Sequence, residues 1–457
     1  MPDDDFFDDL LDRLSERTEH GLRTATDGWP WSEWVEEVRR LTRLFAPLAG
    51  SAIGLRFPPL PASYAWLAAL SSLGCQVFLL DEQLTPERLG ELCELEGIDQ
   101  VVDPARVLDP GPVGGSSRAR ASRRSDRGRL TIFTSGSTGK PKAVHHDWRS
   151  LTRPVRQTDW ASSQTWLLTY RPQLYAGLQV FAHCLVNGCS LVLPDSGMGV
   201  PELYELMHAR RVTCISATPS YWRRLITLRG SARSDLPDLE QITLGGEVCD
   251  QPLLDSLHQL FPKARIVHIY ATSELGRCFS VKDGRAGFPV RYLSEPTEDG
   301  VEMRVEEGEL WVRSANAMIG MGSAPGESSR PAGEWIATGD LVERVGDRWF
   351  FVGRRTEVIN VGGNKVHPLR IEQVVLEDPD VLEARAFARS SSLVGQMVAC
   401  ELMVRPGADG GEVCRRVGET CRQRLAPHER PRFLEVVAAI GLSDAGKKLR
   451  RLPDARG

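Results

Sequence analysis

The stretch Thr134-Ser135-Gly136-Ser137-Thr138-Gly139-Lys140-Pro141-Lys142 follows directly on the apolar run Leu130-Thr131-Ile132-Phe133. A buried strand there opens into a loop of glycines, hydroxyls and cations. Such a loop suits phosphate: glycines let backbone N–H groups turn inward as an anion nest, the hydroxyls donate further hydrogen bonds, and Lys140 and Lys142 add positive charge. The spacing is not that of a Walker loop, which would put glycine where Thr134 stands and a hydroxyl residue where Pro141 stands. By composition alone the string fits an exposed Ser/Gly/Thr linker better; the ordered string argues otherwise.

Outward from this loop the chain alternates between strand and helix patterns. Upstream, Phe6, Phe7, Leu10, Leu11 and Leu14 form one apolar face among acidic residues, which predicts a docked N-terminal helix. Pro61 opens a helix that ends near Gly74, Cys75 to Leu80 reads as a strand, and Thr85-Pro86 caps a further helix. Residues 108–129 mix Gly, Pro and Ser with arginines and read as a linker or mobile loop with a solvated basic face. Downstream, strands are predicted over 166–169, 190–193, 212–216, 239–244 and 264–270, with helices over 177–186 and 201–210 between them. Repeated βα units imply a largely parallel sheet, whose ligands sit at the carboxyl ends of strands. The last two strands run into Gly245-Gly246-Glu247 and Ala271-Thr272-Ser273-Glu274. Both turns are expected to converge on one crevice with the loop after Phe133. From about residue 300 short strands predict a β-rich third layer, and after Arg354 an α+β segment of about 100 residues is long enough for a domain of its own.

At 457 residues, 41% hydrophobic and 26% charged, the chain is too long for one compact core. The fold class expected is α/β: a large domain over 1–354 and a small, mobile α+β domain over 355–457. A net charge of -5 gives no general attraction for nucleic acid or an anionic membrane, so neither is expected as a partner. The ten cysteines include no C-x-x-C pair, and the start, Met1-Pro2-Asp3-Asp4-Asp5, is acidic where a secretory signal would be basic. Reduced thiols in the cytoplasm are the expectation.

The loop Thr134 to Lys142 resembles the signature loop of the adenylate-forming superfamily, which includes acyl-CoA synthetases, aryl-acid ligases, peptide-synthetase adenylation domains and luciferases. Further likeness recurs in family order as far as Leu452. Gly245-Gly246-Glu247 resembles the turn against the adenine, and Tyr270-Ala271-Thr272-Ser273-Glu274 resembles Y-G-x-T-E with Ala271 at the usual glycine. The resemblance implies that ATP is held by Thr134, Ser135, Gly136, Ser137, Thr138, Gly139 and Lys142, that Tyr270 stacks on the adenine, that Thr272 approaches the α-phosphate, and that Glu274 holds Mg²⁺. Thr338-Gly339-Asp340 is similar to a T-G-D whose carboxylate takes both ribose hydroxyls, and Gly353-Arg354 to the G-R that ends the large domain. Thr356 then stands at the hinge, where the family usually has Asp or Lys, and Gly362 and Gly363 line the thiol's path. Ser443-Asp444-Ala445-Gly446-Lys447 is similar to the closing motif, which makes Lys447 the catalytic lysine, a preorganised cation where two anions must meet.

The acyl pocket implied by the resemblance involves Tyr175, Gly177, Thr218, Tyr221, Trp222, Gly245 and Gly246. Tyr175 occupies the position at which α-amino-acid-activating members carry an Asp. The reading that results is an enzyme that activates a carboxylic acid other than an α-amino acid, aryl or fatty for example, to an acyl-adenylate. The acyl group then passes to a thiol, with coenzyme A leading and a pantetheinylated acyl carrier protein following. Transfer to an amine or another nucleophile stays open within the class, and a nucleotide-binding protein without turnover stays open outside it.

Overall fold

The computed structural model describes residues 5–106, 128–135, 141–228, 236–321, 333–391 and 395–441, and among these the strands form four sheets. In the first, the strands Arg265–Thr272, Gln241–Gly245, Cys214–Ala217, Thr165–Leu168 and Ser190–Val192 run parallel, as the βα alternation requires. Gly276–Val281 closes one edge as an antiparallel return, and at the other edge Gly21–Arg23 adds in parallel and turns back through Gly28–Pro30. In the second sheet, Gln100–Val102, Ala52–Arg56, Gln76–Leu80 and Arg129–Ser135 are parallel; Pro141–His146 and then Gly320–Met321 add antiparallel.

The helix Pro61–Ser72 is apolar all round because it is buried all round: Tyr64, Leu67 and Leu70 share one core with Ile53 and Leu79 of the second sheet and Leu191 of the first. The expected N-terminal helix is Asp5–Ser15, which buries Leu10, Leu11 and Leu14 in that core. Thr85 caps Pro86–Glu96 by accepting from Arg88 N, and Gly97 ends it with φ +68°. A helix over Trp31–Leu44, whose Trp31 and Trp34 are fully buried, was not legible in the sequence.

The β-rich layer is an antiparallel sheet ordered Phe288–Pro289, Arg348–Arg354, Ile336–Val345, Glu309–Arg313, Glu302–Glu306, with its own core around Phe279, Phe288 and Val312. The fourth sheet comprises Ile359–Val361, Asn364–Val366, Val381–Ser391, Gly395–Val404 and Phe433–Val436. With the helices Pro368–Val375 and Gly410–Arg424 it encloses a core drawn from residues 359–434 alone. No helix among the described residues is long and apolar enough to cross a membrane. The linker expected at 108–129 falls outside the described residues except for Gly128 and Arg129.

Candidate active site

The strand expected to end at Phe133 continues to Ser135 and pairs antiparallel with Pro141–His146, with Thr134 opposite Lys142 and Ser135 opposite Pro141. The two described ends of the stretch Thr134 to Lys142 thus lie on paired strands. The return strand was missed because Pro141 and two histidines mask the alternation. Gly136, Ser137, Thr138, Gly139 and Lys140 lie outside the described residues, as does Lys447. Lys142 is exposed on the return strand.

The turn 272–275 joins Arg265–Thr272 to Gly276–Val281, and its backbone is pinned from two sides. His146 Nε2 donates to the carbonyl of Ser273 at 2.8 Å, and Met318 N donates to that of Glu274 at 2.8 Å. His146 is fully buried, its Nδ1 lies 3.0 Å from Ser150 Oγ, and burial lowers its pKa to about 4, so the ring is neutral. Sequence reasoning missed His146, whose partner Ser273 O lies 127 residues away in the chain. Gly276 has φ +71°, and a Cβ on it would meet Asn316 O at 2.6 Å, so two demands fix glycine there.

Thr272 Oγ1 accepts from Leu275 N at 3.1 Å and so caps the turn, and the fourth place of Y-G-x-T-E falls on Ser273, whose hydroxyl makes no hydrogen bond among the described residues. Glu274 is half-buried and makes no ion pair among the described residues.

Tyr270 packs between Phe279 and Phe351, with ring centroids 5.3 and 4.8 Å away, and its OH donates to Asp340 Oδ2 at 2.6 Å. Asp340 is buried at 7% exposure and takes Arg354 Nε on Oδ1 at 2.9 Å, so both carboxylate oxygens are engaged. Burial and then Asp340 push the Tyr270 hydroxyl far above its ordinary pKa, which keeps it a donor. Burial works against the charge of Arg354, yet Asp340, with Tyr270, Glu357 and Glu274 behind it, raises its pKa overall. The T-G-D turn is held by Thr338 Oγ1, which donates to Leu310 O at 2.7 Å, and by Gly339, at φ +75°, whose N–H donates to Glu309 Oε1 at 2.7 Å.

On the side expected to take the acyl group, several residues turn out to hold structure. Glu247 Oε2 accepts from Ser220 N at 3.0 Å and Ser220 Oγ at 2.7 Å, and Thr218 Oγ1 accepts from Tyr221 N at 3.1 Å; both secure the first turn of the helix Pro219–Leu228. Trp222 is fully buried against Phe261 and is a core residue rather than a pocket wall. Gly177 is glycine because a Cβ would meet Arg171 O at 2.4 Å. Tyr175 is 5% exposed, and its ring lies 5.2 Å from that of His146. Tyr170, not anticipated, approaches Gly245 with its OH, 3.5 Å from Gly245 O. Gly246 has φ +83°. Gly362 and Gly363, at φ +56° and +89°, form the turn between Ile359–Val361 and Asn364–Val366, where a Cβ would meet nothing within 4 Å; backbone conformation, not space, calls for glycine. Ala271 lies on the strand beside Tyr270 at a register shift, and Thr356 is exposed in the single turn Arg355–Glu357.

The strand ends bring together a buried carboxylate, Asp340, an arginine paired with it, Arg354, and the half-buried Glu274. The sequence pattern of the AMP-binding enzymes matches residues 24–321, and that of the AMP-binding enzyme C-terminal domain matches 370–447. The chain belongs to the AMP-binding enzyme family and is an adenylate-forming ligase. A fatty acid–[acyl-carrier-protein] ligase of Mycobacterium marinum is 25% identical over 96% of this chain and 96% of its own length. A 2-succinylbenzoate–CoA ligase of Geobacillus kaustophilus is 26% identical over 84% of this chain and 83% of its own. In fold the chain is similar to an anthranilate CoA ligase solved with anthranoyl-AMP, with a TM-score of 0.80 at 19% identity over 97% of this chain and 95% of that one.

Proposed function

We propose that this ligase activates a carboxylic acid lacking an α-amino group with ATP, releases pyrophosphate, and passes the acyl group to a thiol, coenzyme A before a carrier-protein pantetheine. The observation that carries the nucleotide half is Asp340, a buried carboxylate whose two oxygens are satisfied by Arg354 and Tyr270. That pair of donors is what two ribose hydroxyls would replace. Ser273 and the stretch from Thr134 to Lys142 would hold phosphates. Glu274, a hard oxygen donor without an ion pair among the described residues, fits Mg²⁺. Among the described residues no three His, Cys, Asp or Glu side chains cluster as a complete metal cage; this agrees with an ion that takes its remaining oxygens from phosphates and water.

Attack of a carboxylate on the α-phosphorus brings anions together, and Lys447 is assigned the compensating charge. We set the domain boundary after Arg354, with Thr356 as the hinge about which the segment 355–457 rotates to present Gly362 and Gly363 to the thiol. Tyr175 supports the substrate class: it supplies no carboxylate for an ammonium, and a buried cation without an anionic partner costs several kcal/mol. The relatives' acceptors, an acyl carrier protein in one and CoA in the other, support a thiol. We place the protein in the cytoplasm, consistent with ten unpaired cysteines. The test is ATP–pyrophosphate exchange against a panel of aryl, fatty and α-amino acids. Exchange with α-amino acids and none with the others would overturn the substrate class.

A further inference from the structure

Two consecutive arginines end the strand Arg348–Arg354 and open the turn that follows, and each is held by a different carboxylate. Arg354 pairs with Asp340, while Arg355 Nη2 reaches Glu309 Oε2 at 2.5 Å. Glu309 is buried at 7% exposure, unusual for a carboxylate, and its other oxygen accepts from Gly339 N at 2.7 Å, inside the T-G-D turn. One side chain therefore joins the turn that carries Asp340 to the last residue before the hinge. On the far side of the hinge, Ile359 is 2% exposed in the core of the fourth sheet. Only Thr356, Glu357 and Val358 lie between these two anchors.

We propose that Glu309 is a positioning residue that clamps Arg355 to the third sheet, confines the pivot to Thr356–Val358, and ties the position of the sugar-binding turn to that pivot. The proposal rests on the domain rotation assigned above. A carboxylate this buried is retained at a desolvation cost that its two partners offset only while both are in place, so the clamp is rigid when made and weak once one partner is lost. The alternative, a purely structural pair, would add stability without distinguishing one half-reaction from the other.

The test compares wild type with Glu309→Gln, Arg355→Gln and the double variant. Glu309→Gln keeps an acceptor for Gly339 N and loses the ion pair. Thioester formation from supplied acyl-adenylate is expected to fall about tenfold while pyrophosphate exchange stays within roughly threefold, and the double variant is expected to be no worse than either single one. Equal loss in both half-reactions, no loss in either, or effects that multiply in the double variant would overturn the proposal. Hydrogen exchange of the ligand-free protein supplies a readout that needs no substrate. Amides of 338–340 and 355–358 should exchange faster together in Glu309→Ala, which removes both contacts, and faster exchange in one segment alone, or in neither, overturns the clamp. If the wild type showed no pyrophosphate exchange, the proposed activity would fail, and hydrogen exchange would still decide the role of Glu309.

Discussion

Tyr270→Phe removes one oxygen and leaves the ring between Phe279 and Phe351. In the ligand-free protein the loss strips Asp340 of a donor at 2.6 Å. A hydrogen bond to a charged group contributes about 1.5–3 kcal/mol, and because Asp340 is buried, water replaces the donor poorly. The melting point of the free protein should therefore drop by roughly 2–3 °C, since unfolding a chain of this length carries an entropy of about 1 kcal/mol/K. The nucleotide complex behaves differently if ribose hydroxyls take both oxygens of Asp340, for then Tyr270 OH is displaced in wild type and its absence costs little. By linkage, AMP should bind the variant at least as tightly as wild type, and up to about tenfold more tightly, since tenfold corresponds to about 1.4 kcal/mol. Differential scanning fluorimetry with and without saturating AMP, together with calorimetric titration, reads both quantities. If affinity fell in step with stability, Tyr270 would hold Asp340 in the bound state as well, and the exchange of donors would be refuted.

Glu274→Ala should slow ATP–pyrophosphate exchange by about 10²-fold while nucleotide is retained, and equal exchange rates for variant and wild type would remove Glu274 from the metal site. Lys447→Ala should slow adenylate formation by about 10²-fold and leave thioester formation from supplied adenylate within a small factor; equal slowing of both steps in single-turnover measurements argues against domain rotation. His146 gives a pH signature with a definite sign. Its pKa is about 4 folded against 6.5 unfolded, so below pH 6.5 the unfolded chain binds the extra proton and stability falls as pH drops toward 4, by up to about 3 kcal/mol in all. In urea unfolding between pH 7.5 and 5 the decline should be shallower in His146→Gln, and parallel declines would show that the ring is not held neutral.

What the sequence determined by itself was local and patterned. The βα alternation predicted the parallel strands, and Thr85-Pro86 marks the start of one helix by capping chemistry. The motif order carried the family and the set of polar residues at the strand ends, because those depend on residue type and spacing. Tertiary structure decided what each of them packs against or bonds to. Trp222 is fully buried, Glu247 and Thr218 bond to the first turn of the helix Pro219–Leu228, and Thr272 accepts from Leu275 N, all of which are contacts made after folding. His146 and Glu309 were illegible for the same reason: each acts on a backbone group far away in the chain, Ser273 O and Gly339 N, and no local pattern encodes a partner that only the packing of sheets brings within hydrogen-bond reach.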